Sequence, residues 1–593
     1  MNKPFIATPQ RLLATAAADP AAFACYGYSN KSWQGTRWDA LAADVCAFAR
    51  SLLGRGIKPG DRIAIFAYNR LEWVVADLAI MMIGAVSVGI YFTAAPGEVA
   101  FILRDSGAAV LILEAEAQYQ IIAPFITDLP SPPYIIVIDG APERPDISAF
   151  AAFIAQGQTL PDAARESRLA AITADDLGTL IYTSGTTGAP KAVGLSHGAL
   201  SNCLDVLYQM HQQTRADRAI SYLPLAHIAE RMLSVHAFAA FGFSLYFAES
   251  VQMLGAHLPE VRPTIFFGVP RVWEKLSAGL QQKLATTTGF AAYIAAWAQR
   301  IGRDWHRRQR ESLPVSSLLR WQFSLAHFLV YRKVKAAIGL DAARLLISGA
   351  APIAPETLEF LASLDVLVYE LYGQSETCGP TSSNLPGANR LGSVGRAVPG
   401  TALKIAEDGE VLVRDDKLFV GYIGRPDATA ETLIDGWLLS GDLGHIDADG
   451  YLFITGRKKD LLITAGGKNI APSNIEAELE SLPLVEHGIV IGDRRPYLVA
   501  LLTLSRDALD GFALANQLDL TGIETHPRLR AEIQRGIDRI NESQARVAQI
   551  RRFTILNRNF SIESGELTPT LKLRRSIVTD HCKTEINNLY REE

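Results

Sequence analysis

Ten residues, Tyr182-Thr-Ser-Gly-Thr-Thr-Gly-Ala-Pro-Lys191, hold four aliphatic hydroxyls, two glycines and a terminal lysine. Gly185 and Gly188 let backbone amides approach an anion. The hydroxyls of Thr183, Ser184, Thr186 and Thr187 donate hydrogen bonds, and Lys191 adds a point charge, so the segment reads as a loop that holds phosphates. It is not a Walker A loop: that motif opens a helix with Gly-Lys-Ser/Thr, whereas Pro190-Lys191 runs into a strand pattern over 192–195. Composition alone also allows, as the weaker alternative, a Ser/Thr/Gly-rich hairpin turn.

A phosphate loop needs a rigid frame. β-Branched runs at 62–67 and 109–113 follow helical patterns at 41–53 and 98–103, and strand-then-helix alternation predicts α/β architecture with largely parallel sheets. Residues 148–172 read as a connecting segment before a strand at 179–183. The pattern turns almost wholly helical between 275 and 340, an inserted helical block, and a strand follows at 344–347. Short strands with turn signals such as Glu407-Asp-Gly and Asp447-Ala-Asp-Gly mark a β-rich subdomain over 401–454. A new strand-helix-strand pattern begins after Arg457-Lys-Lys-Asp460, which places a domain boundary near 457.

Three more segments carry chemistry-bearing residues: Tyr369-Glu-Leu-Tyr-Gly-Gln-Ser-Glu-Thr377, Gly436-Trp-Leu-Leu-Ser-Gly-Asp442, and Gly456-Arg-Lys-Lys-Asp460 followed by Gly466-Gly-Lys-Asn. With the phosphate loop, in this order and spacing, they resemble the adenylate-forming superfamily of acyl-CoA synthetases, adenylation domains and luciferases, from about residue 30 to about 580. The segments 222–231, 262–273 and 566–572, with the helical insertion, look like its long-chain fatty acyl-CoA synthetase branch. The resemblance implies a large multi-lobed N-terminal domain of parallel sheets and a β-rich subdomain over 1–456. A small mobile α+β C-terminal domain would cover 457–593.

The implied chemistry is ATP-dependent ligation of a long-chain fatty acid to coenzyme A through an acyl-AMP anhydride. A carboxylate is a poor acyl donor because its leaving group would be oxide, and adenylation supplies a good one. Such a site needs preorganised cations and donors more than a protein nucleophile. By resemblance, Thr183 to Lys191 hold the β- and γ-phosphates, and Glu376 binds Mg²⁺ with a hydroxyl of Thr183 or Ser184. Tyr372 stacks on adenine, with Gly349, Ala350 and Ala351 on its other face. Ser375 contacts the α-phosphate, Gly373 belongs to the same nucleotide-binding segment, and Asp442, assisted by Arg457, binds the ribose. Lys572 is implied as the catalytic lysine bridging substrate carboxylate and α-phosphate. Lys459 is the hinge, about which rotation exchanges Lys572 for a thiol-admitting face around Gly466. Two substitutions depart from the superfamily's commoner residues, Ala192 for glycine and Ser440 for threonine, and neither removes a needed group.

His227, Glu230 and Arg231 share a face if 227–231 is helical. His227 has two open readings, substrate contact and structural histidine. The segment lacks the HExxH pattern of a zinc site, and Gly373-Gln-Ser-Glu-Thr377 lacks the second glycine of a nucleophile elbow, which discounts a serine hydrolase. Phe267, Val269 and Trp273 are candidates for an apolar acyl tunnel, although each is more often simple core. Ile294, Trp297, Ile301 and Trp305 repeat at helical spacing beside Arg300, Arg303, Arg307 and Arg310, either a basic amphipathic helix lying on a membrane or an ordinary packed helix.

Composition bounds the rest. The 593 residues are about four times a ~150-residue domain. With 57 Lys and Arg against 62 Asp and Glu the formal charge is −5, so nothing global favours nucleic acid. Five cysteines without a CxxC pair, no secretion-signal pattern and no membrane-length apolar run point to a cytoplasmic protein, peripheral on a membrane if the basic helix binds one. A ligase loading an acyl carrier protein, a ligase for aryl or medium-chain acids, and a non-catalytic acyl or nucleotide sensor are the alternative functions. Chain-length preference and oligomeric state are not encoded in these motifs.

Overall fold

The run Arg62-Ile-Ala-Ile-Phe66 shows why the sheets form. Ile63 and Ile65 enter one apolar cluster, Ala64 and Phe66 another, and the strand is buried on both faces. Such a strand suits a parallel sheet covered by helices on each side. The computed structural model describes residues 5–127, 129–140, 147–183, 189–464, 469–568 and 573–591. Ser184, Gly185, Thr186, Thr187, Gly188, Gly466 and Lys572 lie outside the described residues.

An eight-stranded sheet runs, edge to edge, Gly421–Tyr422, Lys191–Ser196, Leu177–Thr183, Val86–Gly89, Arg62–Phe66, Val110–Ala115, Tyr134–Asp139 and Ile147–Ala149. From Leu177–Thr183 onward every neighbouring pair is parallel; only the edge carrying Lys191 is antiparallel. A five-stranded sheet places Ile265–Gly268, Leu345–Gly349 and Val368–Gln374 side by side in parallel, then turns antiparallel. The phosphate hairpin, Gly349 and Gln374 therefore all stand at carboxyl ends of parallel strands, where open α/β sheets bind ligands. Between 401 and 457 the strands Ala402–Ile405, Glu410–Arg414, Leu433–Ile434, Trp437–Ile446 and Leu452–Arg457 pair antiparallel.

Beyond Asp460 the apolar residues form clusters of their own around the strands Val485–Ile491, Leu498–Leu504 and Ile550–Ile555. Lys458 is tied back to the preceding sheet, its Nζ lying 2.6 Å from Asp408 and 2.9 Å from Glu410. One ion pair crosses in the other direction: Arg271, in the helix Pro270–Ala285, meets Glu486 at 2.6 Å.

One local reading is corrected, and one left with two alternatives is narrowed. Residues 148–172 are not a plain connector but contain helices Phe150–Gln158 and Ala163–Ala170. Phe150 and Phe153 pack on Phe48, and Gly157 sits so close to Ala47 that a Cβ would fall 1.8 Å from its carbonyl oxygen. Few apolar residues are needed when the helix docks through two rings and a glycine. In the insertion, Ile294, Trp297 and Ile301 pack around buried Ala298, Ala326 and Tyr331, while Trp305 stacks on Phe323 at 4.4 Å. That stripe is the inner face of a helix pair.

Candidate active site

Pairing of Thr183 with Lys191 closes the hairpin around the hydroxyl-rich loop. Next to it, the edge strand Gly421–Tyr422 pairs with Val193 and Gly194 and brings Tyr422 over the site. The Tyr422 hydroxyl donates to Glu376 Oε1 at 2.8 Å, and the Lys191 ammonium lies 4.6 Å from the Tyr422 ring centre. One tyrosine thus spaces a carboxylate from a cation. Burial and Glu376 push the Tyr422 phenol well above its ordinary value, so it remains a donor.

Glu376 is carried on the short turn Ser375–Thr377 after strand Val368–Gln374. The turn is stapled by Thr377, whose Oγ1 accepts from the Gln374 amide at 3.0 Å and donates to the Gly379 carbonyl at 2.8 Å. Gly373 is required sterically: a Cβ there would stand 1.8 Å from the Gly379 oxygen, at the point where the strand register shifts. Ser375 is buried in the same turn.

The second half of the site centres on Asp442, 3% exposed. Tyr372 donates its hydroxyl to Oδ2 at 2.7 Å, Gln374 Nε2 donates to the same oxygen at 2.5 Å, and Arg457 Nε donates to Oδ1 at 2.9 Å. Asp442 and Arg457 are register partners on adjacent strands, so their meeting follows from the hairpin alone. Burial and Asp442 hold the Tyr372 phenol far above its ordinary value. Asp442 also raises the pKa of Arg457. Gly441 donates its amide to Glu410 Oε1 at 2.8 Å, which fixes the bend before Asp442. Across the sheet, Gly349 pairs with Leu371, and Ala350 adopts φ +73°, a left-handed conformation costly for a residue with a Cβ. That strained turn at 349–351 opens beside the strand bearing Tyr372.

His227, Glu230 and Arg231 are brought to one short helix but not to one task. His227 caps it, Nδ1 accepting from the Ala229 amide at 3.3 Å. Arg231 is fully buried, paired with Asp77, donating to Thr179 at 2.7 Å and lying 4.8 Å from the Trp73 ring centre. Glu230 accepts from Ser234 at 2.6 Å, and burial pushes it up to about 7. The expectation of a shared face fails because the helix begins at Ile228, leaving His227 outside it. Arg231 instead ties the segment to the eight-stranded sheet, and Ala226 packs onto Gly89 with no room for a Cβ between them.

Phe267 lines a cavity of about 20 Å³ with Glu230, Leu233, Ser234, Phe243 and Ile265, room for one water. Val269 caps the helix Pro270–Ala285 and is half-buried. Trp273 is held in the core, its indole N–H donating to the carbonyls of Gly268 at 3.1 Å and Ile347 at 3.2 Å. That placement matches the core reading of the residue.

Among the described residues no cluster of three or more His, Cys, Asp and Glu could hold a metal by itself. Glu376 offers one hard carboxylate beside the hydroxyl-rich hairpin. This donor set fits Mg²⁺, which keeps water and takes its remaining oxygens from nucleotide phosphates.

The sequence reading missed Tyr422, Gln374 and Glu410 as site residues. Gln374 stood inside a quoted motif, but Tyr422 reaches Glu376 only through an edge strand 46 residues later, with no local signal. Within the described stretch 469–568, Glu566 anchors the turn at 562–566, accepting from Ser564 at 2.7 Å. Both oxygens of this fully buried carboxylate accept from Arg558 at 2.6 Å, and it sits 3.1 Å from His581; against burial, these partners and Ser564 hold it down to about 2.

An α/β sheet with a hydroxyl-rich phosphate hairpin, a carboxylate beside it and an Asp-Tyr-Arg cluster at the strand ends defines a nucleotide-activating enzyme. Residues 12–423 match the AMP-binding enzyme family and residues 459–593 its C-terminal domain. The chain belongs to the AMP-binding enzyme family, in the long-chain acyl-CoA synthetase branch of the adenylate-forming superfamily. It is 35% identical to the long-chain-fatty-acid–CoA ligase FadD15 of Mycobacterium tuberculosis, over 95% of this chain and 93% of that protein. It is 33% identical to the long-chain-fatty-acid–CoA ligase ACSBG2 of Xenopus laevis, over 95% and 81%. Among solved structures, the anthranilate CoA ligase AuaEII in complex with anthranoyl-AMP superposes with a TM-score of 0.76 at 21% identity, covering 99% of both chains. The adenylation domain of a carboxylate reductase from Mycobacterium chelonae gives 0.80 at 22%, covering 100% of this chain and 92% of that one.

Proposed function

We propose that the chain is a long-chain fatty acid:CoA ligase working in two steps through an acyl-adenylate. The observation that carries this is the convergence of the phosphate hairpin, the Lys191–Tyr422–Glu376 set and the Asp442 cluster on one end of two parallel sheets. In the first step a substrate carboxylate oxygen attacks the α-phosphorus of ATP, the bond to the β-phosphate oxygen breaks, and pyrophosphate leaves. In the second, the CoA sulfur attacks the acyl carbon, AMP leaves, and the thiol proton passes to solvent.

The residues divide this work. Asp442, backed by Arg457, accepts from ribose hydroxyls while Tyr372, its hydroxyl tied to that same carboxylate, offers its ring to adenine. The turn at Gly349, Ala350 and Ala351 forms the facing wall. Thr183 to Lys191, including Ser184, Gly185, Thr186, Thr187 and Gly188, hold the outer phosphates, and Gly373 with Ser375 lies at the inner one. Glu376 and Ser184 would hold Mg²⁺, which when bound neutralises phosphate charge. Lys572 supplies the cation between carboxylate and α-phosphate. Phe267 and Val269 flank the acyl path, where each buried methylene contributes about 0.8 kcal/mol.

The division of domains falls at 457, with Lys459 as hinge and a face near Gly466 admitting the thiol. Arg457 and Lys458 are both anchored to the preceding sheet, so Lys459 is the first residue free to turn. We assign the orientation in the structure to adenylate formation, a reading supported by Arg574, which lies close enough to Glu98 to oppose the upward shift that burial gives that carboxyl. The test is fatty-acid-dependent pyrophosphate release, with acyl-CoA identified by mass spectrometry. No pyrophosphate with any lipid acid, from folded protein supplied with Mg²⁺, ends the proposal. Product formed only on a phosphopantetheinylated carrier reassigns the acceptor.

A further inference from the structure

With the stripe at Ile294, Trp297, Ile301 and Trp305 turned inward, a different apolar row in the insertion is left uncovered. The helix Ser317–Ala326 continues through a π turn, His327–Tyr331, into Arg332–Ala337. Leu319, Ala326, Val330 and Tyr331 are buried against the helix Gly289–Arg310. On the opposite side Leu318, Trp321 and Phe328 are 64%, 62% and 61% exposed, with half-buried Leu325 between the last two. Spacings of three and four put these on one side of a helix, so the element is apolar on two faces and packed on one.

The charge around the row is equally one-sided. Between Gly289 and Ile338 there are nine Lys and Arg and two acids, Asp304 and Glu311, in a chain whose formal charge is −5. Both acids are already engaged by Arg307, and Asp304 also by Arg308. Arg320, Arg332 and Lys333 flank the row exposed, and among the described residues none has an acidic partner. The Arg332 guanidinium lies 5.4 Å from the Phe328 ring centre, keeping an apolar ring and a cation at one level. A second copy of the chain is a poor occupant, because a homotypic contact would press this basic patch against itself.

We propose that the row Leu318, Trp321, Leu325 and Phe328, ringed by Arg320, Arg332 and Lys333, is the surface by which the protein docks on an anionic lipid bilayer. Aromatic and aliphatic side chains enter the headgroup boundary while the flanking cations meet lipid phosphates. The inference takes its purpose from the ligase reading, since long-chain acids partition into bilayers, but its test needs neither nucleotide nor turnover.

Full-length protein is floated with phosphatidylglycerol-containing vesicles and with pure phosphatidylcholine vesicles, at low and high salt. Binding is expected to the anionic vesicles at low salt, falling about tenfold on neutral vesicles or in high salt. Trp321→Ser/Phe328→Ser, and separately Arg320→Gln/Arg332→Gln/Lys333→Gln, are expected to lower binding at least about tenfold. Both variants should keep wild-type circular dichroism and wild-type ATP/pyrophosphate exchange with a short water-soluble acid. No flotation at low salt, equal binding to neutral vesicles, or unchanged binding by both variants overturns the proposal. So does a wild-type dimer in sedimentation that Trp321→Ser/Phe328→Ser converts to monomer. Loss of exchange activity in wild-type protein that still floats would count against the ligase reading alone.

Discussion

Arg271 ties the helix Pro270–Ala285 to the C-terminal region. It lies 2.6 Å from Glu486 across the boundary, 3.5 Å from Glu274 on its own helix, and close enough to Glu480 to feel its charge. Arg271→Ala leaves three carboxylates facing one another with no cation between them. Side chains of Arg271 and Glu486 are 20% and 22% exposed, so solvent screens part of the loss. Truncating one partner of a buried charge pair costs 2–5 kcal/mol, and the lower half of that range, about 2–3 kcal/mol, applies here. On the proposed rotation about Lys459 the pair is broken in the thioester-forming orientation, so the cost falls on the orientation equilibrium and shifts it about 30- to 150-fold. Adenylation, read by ATP/pyrophosphate exchange, is expected to fall at least about tenfold, while conversion of supplied acyl-AMP to acyl-CoA does not fall. Arg271→Glu/Glu486→Arg should recover most of the exchange lost in Arg271→Glu. Parallel loss of both half-reactions, or no recovery in a folded charge-swapped protein, would refute the reasoning.

The same cluster carries a pH dependence. Burial, then Glu480, pushes Glu274 up to about 7, so its folded-state pKa lies above the unfolded value. The stability this contributes is complete below about pH 4.5 and is lost as pH rises through about 7, a change of at most about 3 kcal/mol. Glu274→Gln should flatten urea-unfolding stability across that window; an unchanged slope assigns the dependence elsewhere. Asp442→Asn keeps the shape but weakens the charge-assisted bonds with Arg457 and the ribose, and KM for ATP should rise about ten- to a hundredfold, measured at saturating acid. Lys572→Ala should abolish exchange yet still convert supplied acyl-AMP to thioester; survival of both half-reactions would reassign the lysine. Lys459→Pro should keep exchange, because proline tolerates the 3₁₀ turn at 458–460, and lose thioester formation by fixing φ. Equal losses would deny the hinge.

Where a function was local in sequence, it was legible. Tyr372, Gly373, Gln374, Ser375 and Glu376 are consecutive, so a strand followed by one turn presents them together whatever surrounds it. Asp442 and Arg457 were adjacent in expectation and are register partners in fact, since one antiparallel hairpin connects them. Ser184 through Gly188, Gly466 and Lys572 lie outside the described residues, and their roles rest on motif and family. Parallel sheets were legible for a similar reason, as continuous β-branched runs cannot face water on either side.

What pattern could not reach was decided by contacts between distant segments. Periodicity gives the apolar stripe at Ile294, Trp297, Ile301 and Trp305 but not whether it faces inward. Packing settled that, because Ala298 and Gly302 let the helix Gly289–Arg310 approach closely and Tyr331 donate to the Ala298 carbonyl at 2.6 Å. Tyr422 joins Glu376, and Arg271 meets Glu486, through sheet and domain geometry with no sequence neighbourhood in common. Short-range chemistry is written in residue order because one hydrogen-bonding pattern converts order to position. The partners of a buried charge or a helix face are chosen by the whole chain's competition to exclude water, and only the folded structure records that choice.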